Sequence, residues 1–266
     1  MINPNLMTIG LSAFTALAAH QIGGTTIHSL LGISFGSNVS KTNRMSASLL
    51  SKYRYSLQQL KVLIIDEISF VGANLLAAIN QRLQEIMGID KPFGGVLVLC
   101  FGDLYQLQPV KDLNVFQTPS GSYSELTGSV WNEFAYFYLE EIMRQDNLSW
   151  CQLLGRLRVN MLTDEDIERL EALINSPVPK GTLRACRLNA HVDQHNASAL
   201  QQHCNRKYSV QAFDSVEGEQ SDDPNTTEKF LDRAKTLPVD KTHCLRYEIT
   251  VTTGLPYMIV CNIDKG

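Results

Sequence analysis

The segment LKVLIIDEIS (residues 60–69) decides the fold class of this 266-residue chain. Its apolar run has the length of a buried strand and ends in two carboxylates, Asp66 and Glu67. A second apolar run, residues 96–101, follows after a helical pattern of apolar residues between 75 and 87. Strand, helix and strand in this order predict an α/β fold with a parallel sheet that helices cover on both faces.

Further elements are predicted outward from this centre. Thr163 with Asp166 three residues later is a capping signal for a helix that extends to Ile174. Other predicted helices span residues 15–21 and begin near Val192. Other predicted strands span residues 6–13, 134–139, 183–188, 245–251 and 256–261. The acidic, polar residues 214–229 predict an exposed loop.

Composition excludes some classes of protein. The sequence contains no run of 18 apolar residues, so it predicts no membrane-spanning helix. It also does not begin with the pattern of a secretory signal peptide. Six cysteines without a CxxC pair are typical of an intracellular, reducing compartment. The net charge is −4, yet residues 1–65 lack Asp and Glu and carry +5. Such a segment can bind a phosphate backbone, although chance composition explains the charge equally well.

Four motifs could carry chemistry. Asp66 and Glu67 end a predicted parallel strand, where α/β folds bind ligands, and such a pair can hold Mg²⁺ and orient water. The segment GDLYQLQPV (residues 102–110) offers Gln106 as a neutral partner for a phosphate. Arg144 could act as an arginine finger, and residues 22–29 (IGGTTIHS) offer uncharged donors to a phosphodiester. Each motif alone also fits a bland interpretation, namely a charged turn, a loop, a surface arginine or a glycine turn.

The order of these motifs resembles that of a known family. The segments SAFTALAA (12–19), GGTTIHS (23–29), LIIDEIS (63–69), FGGVLVLCFGDLYQLQPV (93–110) and LEEIMRQ (139–145) match the motifs of the PIF (petite integration frequency) family in sequence. These are 5′-to-3′ DNA helicases of superfamily 1. LNAHVDQHN (188–196) and TTGLPYMIVCNIDKG (252–266) resemble later segments of the same family.

The resemblance implies roles for the nucleotide-facing residues. Asp66 would hold Mg²⁺, Glu67 would be the catalytic base, and Gln106 would couple the γ-phosphate of ATP to DNA. Arg144 would reach the phosphates from a second RecA-like lobe. Thr15, Thr26, His28 and Ser29 would lie along single-stranded DNA.

The resemblance also implies an organisation in two lobes. Residues 1–140 would form an incomplete first RecA-like lobe of the P-loop NTPase type. Residues 141–266 would begin a second lobe that carries a small, partly β insertion. The family's GxxGTGKS phosphate-binding loop occurs nowhere in these residues, and Gly-Lys is absent. We therefore expect the middle part of a helicase, without that loop and without the last motifs.

Three positions differ from the family's usual pattern. The family usually has Pro where Phe14 stands, Gly where Ala16 stands and Pro in place of Gln108. These differences bear on DNA contact geometry and not on the fold.

The function implied by the resemblance is ATP-dependent unwinding of DNA in genome maintenance, such as repair, recombination or telomere upkeep. The cofactors would be ATP and Mg²⁺, and the partners single-stranded and forked duplex DNA. We expect a monomer that does not bind a membrane, located in the nucleus of a eukaryote or in its mitochondrion.

Two other functions remain open at this stage. A non-catalytic remnant would bind single-stranded DNA or a partner without hydrolysing ATP, and the missing loop favours it. A superfamily 2 helicase also ends a strand in Asp-Glu, but GDxxQLxPV is not its next motif.

Two further patterns favour bland interpretations. The spacing of His191 and His195, with His203 and Cys204 beyond, fits a solvated helix better than a zinc site. The aromatic run at residues 134–138 could stack on bases, but a buried strand is the preferred interpretation.

Overall fold

The computed structural model describes residues 6–34, 45–123, 129–179, 182–216, 224–237, 239–242 and 245–257. Two compact units divide the chain, Met1–Asn175 and Ser176–Gly266, and each is described by itself. The lobe boundary predicted near residue 140 rests on the family resemblance, whereas the boundary between residues 175 and 176 separates compact units. The predicted lobe boundary therefore stays a prediction.

A parallel sheet with the order β2-β1-β3-β4 forms the centre of the first unit. The predicted α/β class is therefore confirmed. The strands are β1 (Ile9–Ala13), β2 (Thr25–Thr26), β3 (Val62–Asp66) and β4 (Leu97–Cys100). The helices are α1 (Ala16–Gln21), α2 (Ile27–Leu31), α3 (Ala47–Leu57), α4 (Ala73–Met87), α5 (Leu148–Arg158) and α6 (Asp164–Ile174).

One face of this sheet is packed. Leu63 and Ile65 of β3 alternate with outward residues and are fully buried, as the two-residue period of a strand requires. They belong to one apolar cluster with residues of α2, α3 and α4, among them Leu83 of α4. The four strands and these helices together form the core of the unit.

The opposite face is largely open. Leu97 of β4 is 57% exposed, and Ile9 and Leu99, which share its face by register, are exposed as well. Among the described helices α1 packs here, where Ala18 and Ala19 bury Ala13. The predicted cover on both faces is therefore only partly seen in the described residues, because α2, α3 and α4 all pack on the same side.

A long-range cap fixes the start of α4. Gly72 precedes this helix and has no side chain to cap it, but the carboxylate of Asp112 accepts the N–H groups of Asn74 (3.3 Å) and Leu75 (3.1 Å). It also accepts the N–H of Leu113 at 2.7 Å. A β-carbon on Gly72 would lie 2.1 Å from this carboxylate, so only glycine allows the approach. The loop after β4 thus holds the helix that covers the packed face.

Several predicted elements differ from the structure. Residues 134–139 form no strand, and Phe137 and Leu139 are 83% and 87% exposed. The preferred buried-strand interpretation of the aromatic run is therefore wrong, because no described strand pairs with it and apolar composition alone cannot satisfy backbone hydrogen bonds. Residues 183–188 form no strand either. The predicted 163–174 helix is confirmed by α6, including a capping box between Thr163 and Asp166.

The second unit contains α7 (Asn189–Gln202), β5 (Lys207–Gln211), α8 (Pro224–Thr236) and β6 (Glu248–Thr252). β5 and β6 pair antiparallel. Helix α8 begins inside the predicted 214–229 loop, so that prediction is wrong from residue 224 onward. Most of the predicted strand at 256–261 lies outside the described residues. None of the described helices is long and apolar enough to cross a bilayer.

Candidate functional site

The carboxyl ends of the parallel strands meet at one edge of the sheet, and most predicted site residues lie there. Asp66 ends β3, Thr26 ends β2, and Thr15 follows β1 by two residues. Gln106 lies in the loop that leaves β4. Arg144 lies instead in an exposed stretch without regular structure, and no contact joins it to Asp66 in the described part of the chain. Topology thus places these four residues, but not Arg144, where an α/β fold binds ligands.

The Asp66–Glu67 turn has an unusual backbone. Glu67 adopts a left-handed conformation (φ 54°, ψ 51°), which is rare for a residue with a side chain, and its N–H donates to Asp66 Oδ1 at 3.0 Å. Such conformations cost ~1 kcal/mol or more and cluster at functional sites. The buried residues Ile68 and Ser69 anchor the turn immediately afterwards. The two carboxylates are therefore held at the edge by a shaped turn, not by a flexible loop.

The turn also touches the loop that leaves β4. The N–H of Ile68 donates to the carbonyl of Phe101 at 2.9 Å. Gly102 follows with φ 150°, and a β-carbon there would lie 2.8 Å from the Ile68 nitrogen. Only glycine lets the two segments approach so closely. The turn at residues 66–69 (the DEIS turn) and the loop at residues 102–107 (the GDLYQL loop) are therefore in direct contact.

A magnesium ion is compatible with this edge. Mg²⁺ prefers oxygen ligands and is commonly held by one or two carboxylates together with substrate phosphates and water. Asp66 supplies such a carboxylate, with one oxygen occupied by the Glu67 N–H. Within the described residues no group of three His, Cys, Asp or Glu side chains could hold a metal, including around His191 and His203. An ion at Asp66 would therefore take its other ligands from bound phosphates and water.

The GDLYQL loop is organised around Asp103. Its carboxylate accepts the N–H of Tyr105 (3.0 Å) and an N–H of Arg158 from α5 (2.5 Å). The Asp103 carbonyl accepts the N–H of Gln106 at 3.0 Å. Partial burial alone would raise the pKa of Asp103, but the bonds from Arg158 and Tyr105 outweigh it and lower that pKa. An ionised carboxylate thus holds the turn that carries Gln106.

The predicted DNA-binding hydroxyls have structural tasks. The Thr15 hydroxyl accepts the N–H of Ala18 at 3.2 Å and caps α1. The Thr26 hydroxyl accepts the N–H of Ser29 at 3.3 Å, caps α2, and donates to the Ser29 hydroxyl at 3.0 Å. Side-chain oxygens at such N-caps are favoured for this reason alone. Contact with DNA at Thr15, Thr26, His28 and Ser29 therefore stays a prediction.

His28 lies in a small aromatic cluster. Its ring meets Phe14 edge to face, with centroids 5.6 Å apart, and Phe14 stacks on Phe70 at 6.2 Å. Burial lowers the pKa of His28, which keeps the imidazole neutral near pH 7. Phe14, which replaces the usual proline of the resembling family, thus supports a neutral histidine at the sheet edge.

The basic charges of residues 1–65 are not equivalent. Arg54 on α3 donates to the backbone carbonyl of Glu85 through Nε (3.3 Å) and Nη2 (2.9 Å), which caps the end of α4. Lys52 is exposed on the same helix. Lys41 and Arg44 lie outside the described residues. Lys52 is therefore a better candidate than Arg54 for a phosphate contact.

Sequence reasoning missed three polar residues that shape the site. Asp103 and Arg158 lie 55 positions apart, and Asp112 lies 38 positions beyond the helix start that it caps. Asn160 is left-handed just after α5, and its residue type, which tolerates that conformation, is a local signal that could have indicated the helix end. No spacing rule connects residues across such distances.

Comparison with known proteins agrees with this geometry. The family model described as PIF1-like helicase matches residues 2–153. The ATP-dependent DNA helicase PIF1 of Xenopus laevis is 31% identical over 209 residues, which cover 77% of this chain and 32% of that protein.

Solved structures show the same likeness. The chain is similar to a Pif1 helicase from Bacteroides in complex with ADP-AlF3 and single-stranded DNA (TM-score 0.59, 27% identity), covering 83% of this chain and 52% of that one. It is also similar to a structure described as DNA unwinding at forked duplex DNA by two coordinating Pif1 helicases (TM-score 0.59, 28% identity, 80% and 52% covered). The chain thus spans about a third of the curated relative's length and about half of the solved chains.

Proposed function

Because the chain belongs to the PIF1-like helicase family, we propose that it supplies the Mg²⁺-facing edge and a single-stranded DNA surface of an ATP-dependent 5′-to-3′ DNA helicase. The observation that carries this proposal is the direct contact between the left-handed Glu67 turn and the loop that fixes Gln106. In enzymes that hydrolyse nucleoside triphosphates, carboxylates hold the metal and a neutral glutamine near them orients the attacking water.

The proposed roles follow from position. Asp66 would bind Mg²⁺ with the ATP phosphates, and Glu67 would accept a proton from the attacking water. Gln106 would face the γ-phosphate, and Arg144 would reach the phosphates once its exposed segment is docked. The bound ion would neutralise charge on the phosphates.

The wider activity is part of the proposal. We propose unwinding of forked duplex DNA in genome maintenance, by a monomer located in the nucleus or mitochondrion of a eukaryote. The names and descriptions of the similar proteins support ATP, single-stranded DNA and forked DNA as partners.

A direct test uses ATP hydrolysis. Residues 1–266 contain no GxxxxGK[ST] loop, whose backbone N–H groups and lysine hold the β- and γ-phosphates. We expect the chain alone to show DNA-stimulated turnover below ~0.1 s⁻¹, against about 1–10³ s⁻¹ for typical enzymes. Joined to a GxxGTGKS-bearing strand and helix from a relative, it should hydrolyse ATP when single-stranded DNA is added. Phosphate release measures both, and an inactive joined protein that binds nucleotide would contradict the proposal.

Two substitutions in the joined protein separate the carboxylate roles. Glu67→Gln keeps the side-chain shape but removes the base, so hydrolysis should stop while nucleotide affinity holds. Asp66→Asn should weaken affinity for Mg²⁺-nucleotide. Glu133→Gln and Asp90→Asn are matched controls, because both residues are exposed and away from the sheet edge. Equal loss of nucleotide affinity in both test variants would show that the roles are wrongly assigned.

A second candidate function is binding of single-stranded DNA without hydrolysis, which the absent phosphate loop favours for residues 1–266. Affinity should then fall with salt, with a slope of about −0.7 in log K against log salt per neutralised phosphate. Fluorescence anisotropy of a labelled oligonucleotide measures it. A folded chain that binds no oligonucleotide at low salt would remove this candidate.

Paired variants sharpen that measurement. Lys52→Ala should flatten the slope by up to about 0.7 if its ammonium touches phosphate. Arg54→Ala should leave the slope and lower stability, because its guanidinium caps α4. His28→Ala should weaken binding with little change in slope, because a neutral imidazole releases no counterion.

A further inference from the structure

Arg158 is the last residue of α5 and lies where that helix is firmly ended. Asn160 adopts a left-handed conformation (φ 57°), and its N–H donates to the carbonyl of Leu157 at 3.1 Å. The N–H of Met161 donates to the carbonyl of Arg156 at 2.8 Å. The direction in which Arg158 leaves the helix is therefore fixed by the backbone.

The Arg158 guanidinium contacts two residues of the GDLYQL loop at the same time. Its Nη2 lies 2.5 Å from Asp103 Oδ1, and its central carbon lies 4.7 Å from the ring centroid of Tyr105. Only a planar guanidinium both forms an ion pair and stacks on an aromatic ring in this way, since a lysine ammonium is a point charge. Gln106 follows Tyr105, and its backbone N–H donates to the Asp103 carbonyl at 3.0 Å.

We propose that Arg158 is a positioning residue that sets Gln106 through Asp103 and Tyr105, so that α5 and the phosphate-facing loop move together. The proposal rests on the proposed function, in which Gln106 faces the γ-phosphate. Any displacement of α5 would then reach Gln106 through one arginine. This coupling gives the segment that follows Arg144 a direct mechanical connection to the nucleotide edge.

The exposure of the Arg158–Asp103 ion pair indicates that it orients the loop rather than stabilises the fold. The side chain of Arg158 is 50% exposed and that of Asp103 is 24% exposed, and solvent screening makes such ion pairs contribute little to stability. Arg156, two residues earlier on α5, offers the contrast. It binds the buried Asp166 through two bonds of 2.6 Å, inside the capping box of α6. One arginine of α5 thus secures the fold, while its neighbour reaches the loop.

Hydrogen–deuterium exchange of the chain 1–266 tests the proposal. Arg158→Gln should speed exchange of the Tyr105 and Gln106 amides by about twofold to fivefold, the factor that a half-exposed ion pair supplies. Resistance to urea should stay unchanged. Arg156→Gln, the matched control, should lower urea resistance and speed exchange at the start of α6, while the loop keeps its protection.

Two rescue variants make the test specific. Asp103→Arg combined with Arg158→Asp should restore protection of the Gln106 amide, because the ion pair re-forms in reverse, but not of the Tyr105 amide, because a guanidinium cannot accept that N–H. Arg158→Lys should restore loop protection only in part, because the contact with Tyr105 is lost. Unchanged loop exchange in Arg158→Gln, or equal loop exchange in Arg156→Gln, would overturn the positioning role.

Activity of the joined protein separates this role from the proposed function. Arg158→Gln should lower kcat several-fold while the KM for ATP holds, since Gln106 rather than nucleotide binding is disturbed. A fall in kcat that is accompanied by a comparable rise in the KM for ATP would overturn the role. If the unaltered joined protein hydrolyses no ATP, the proposed function fails, while the exchange result still decides the positioning role.

Discussion

The two faces of the parallel sheet differ although they are made by the same strands. On the packed face, Leu63 and Ile65 disappear beneath α4. On the other face, Leu97 and Ile9 are apolar and yet exposed. The strand sequences are apolar on both faces, so the difference arises from which helices the described residues provide.

The open face shows that the apolar composition of a strand predicts a buried position in the fold. It does not show which other residues bury the strand. A strand apolar on both faces is typical of parallel sheets enclosed by helices. Aromatic and aliphatic residues at 136–139 are exposed as well. Both regions leave apolar surface exposed among the described residues.

The largest expected effect contrasts one leucine from each face. Leu83→Ala on α4 should destabilise the chain by about 2–5 kcal/mol, because it opens a cavity among fully buried neighbours. Leu97→Ala should cost less than about 1 kcal/mol, because water already reaches most of that side chain. Urea unfolding followed by tryptophan fluorescence gives both values. Similar losses would mean that the open face is covered in solution.

The next effect tests how the packed face is held. Asp112→Ala removes the carboxylate that caps α4 and should cost about 1–2 kcal/mol in unfolding free energy. Asp112→Asn should cost less, since an amide oxygen can still accept. Asp90→Ala, an exposed carboxylate beyond the other end of α4, should change stability by less than about 0.5 kcal/mol. If Asp112→Ala matches Asp90→Ala, the long-range cap contributes nothing.

A smaller effect concerns the open face itself. Leu97→Lys on the edge strand β4 should reduce binding of the hydrophobic dye ANS and reduce self-association at high protein concentration. Stability should change by less than about 0.5 kcal/mol, as for other exposed positions. Dye titration and sedimentation velocity give the two readings. Dye binding that Leu97→Lys leaves intact would place the accessible apolar surface elsewhere.

The smallest effect lies at His28, beside the packed face. Burial lowers its folded-state pKa below the unfolded value near 6.5, so the unfolded chain binds more protons in that range. This contribution to stability is therefore complete above about pH 6.5 and is lost as pH falls through the folded pKa. His28→Gln should lose less stability than the parent between pH 7.5 and pH 5. Parallel acid profiles of melting temperature would contradict the assignment to His28.

Local patterns predicted the parts of the fold that depend on near neighbours. The apolar runs gave β3 and β4, the helical spacing gave α4, and Thr163 with Asp166 gave α6 with its capping box. The 134–139 strand was wrong because a strand exists only with a partner, which its own residues do not specify. Helix α8 replaced part of a predicted loop, since a polar, acidic stretch can still form a helix with an amphipathic pattern.

By itself the sequence determined the α/β class, the family resemblance and the placing of Asp66 and Glu67 at a strand end, because strand period and ordered motifs are local and linear. Only the tertiary structure decided that Glu67 is left-handed, that Arg158 reaches Asp103, and that Asp112 caps a helix 38 positions earlier. Such contacts join residues far apart in the chain, and they follow from the packing of whole elements. The same packing left one sheet face buried and the other open.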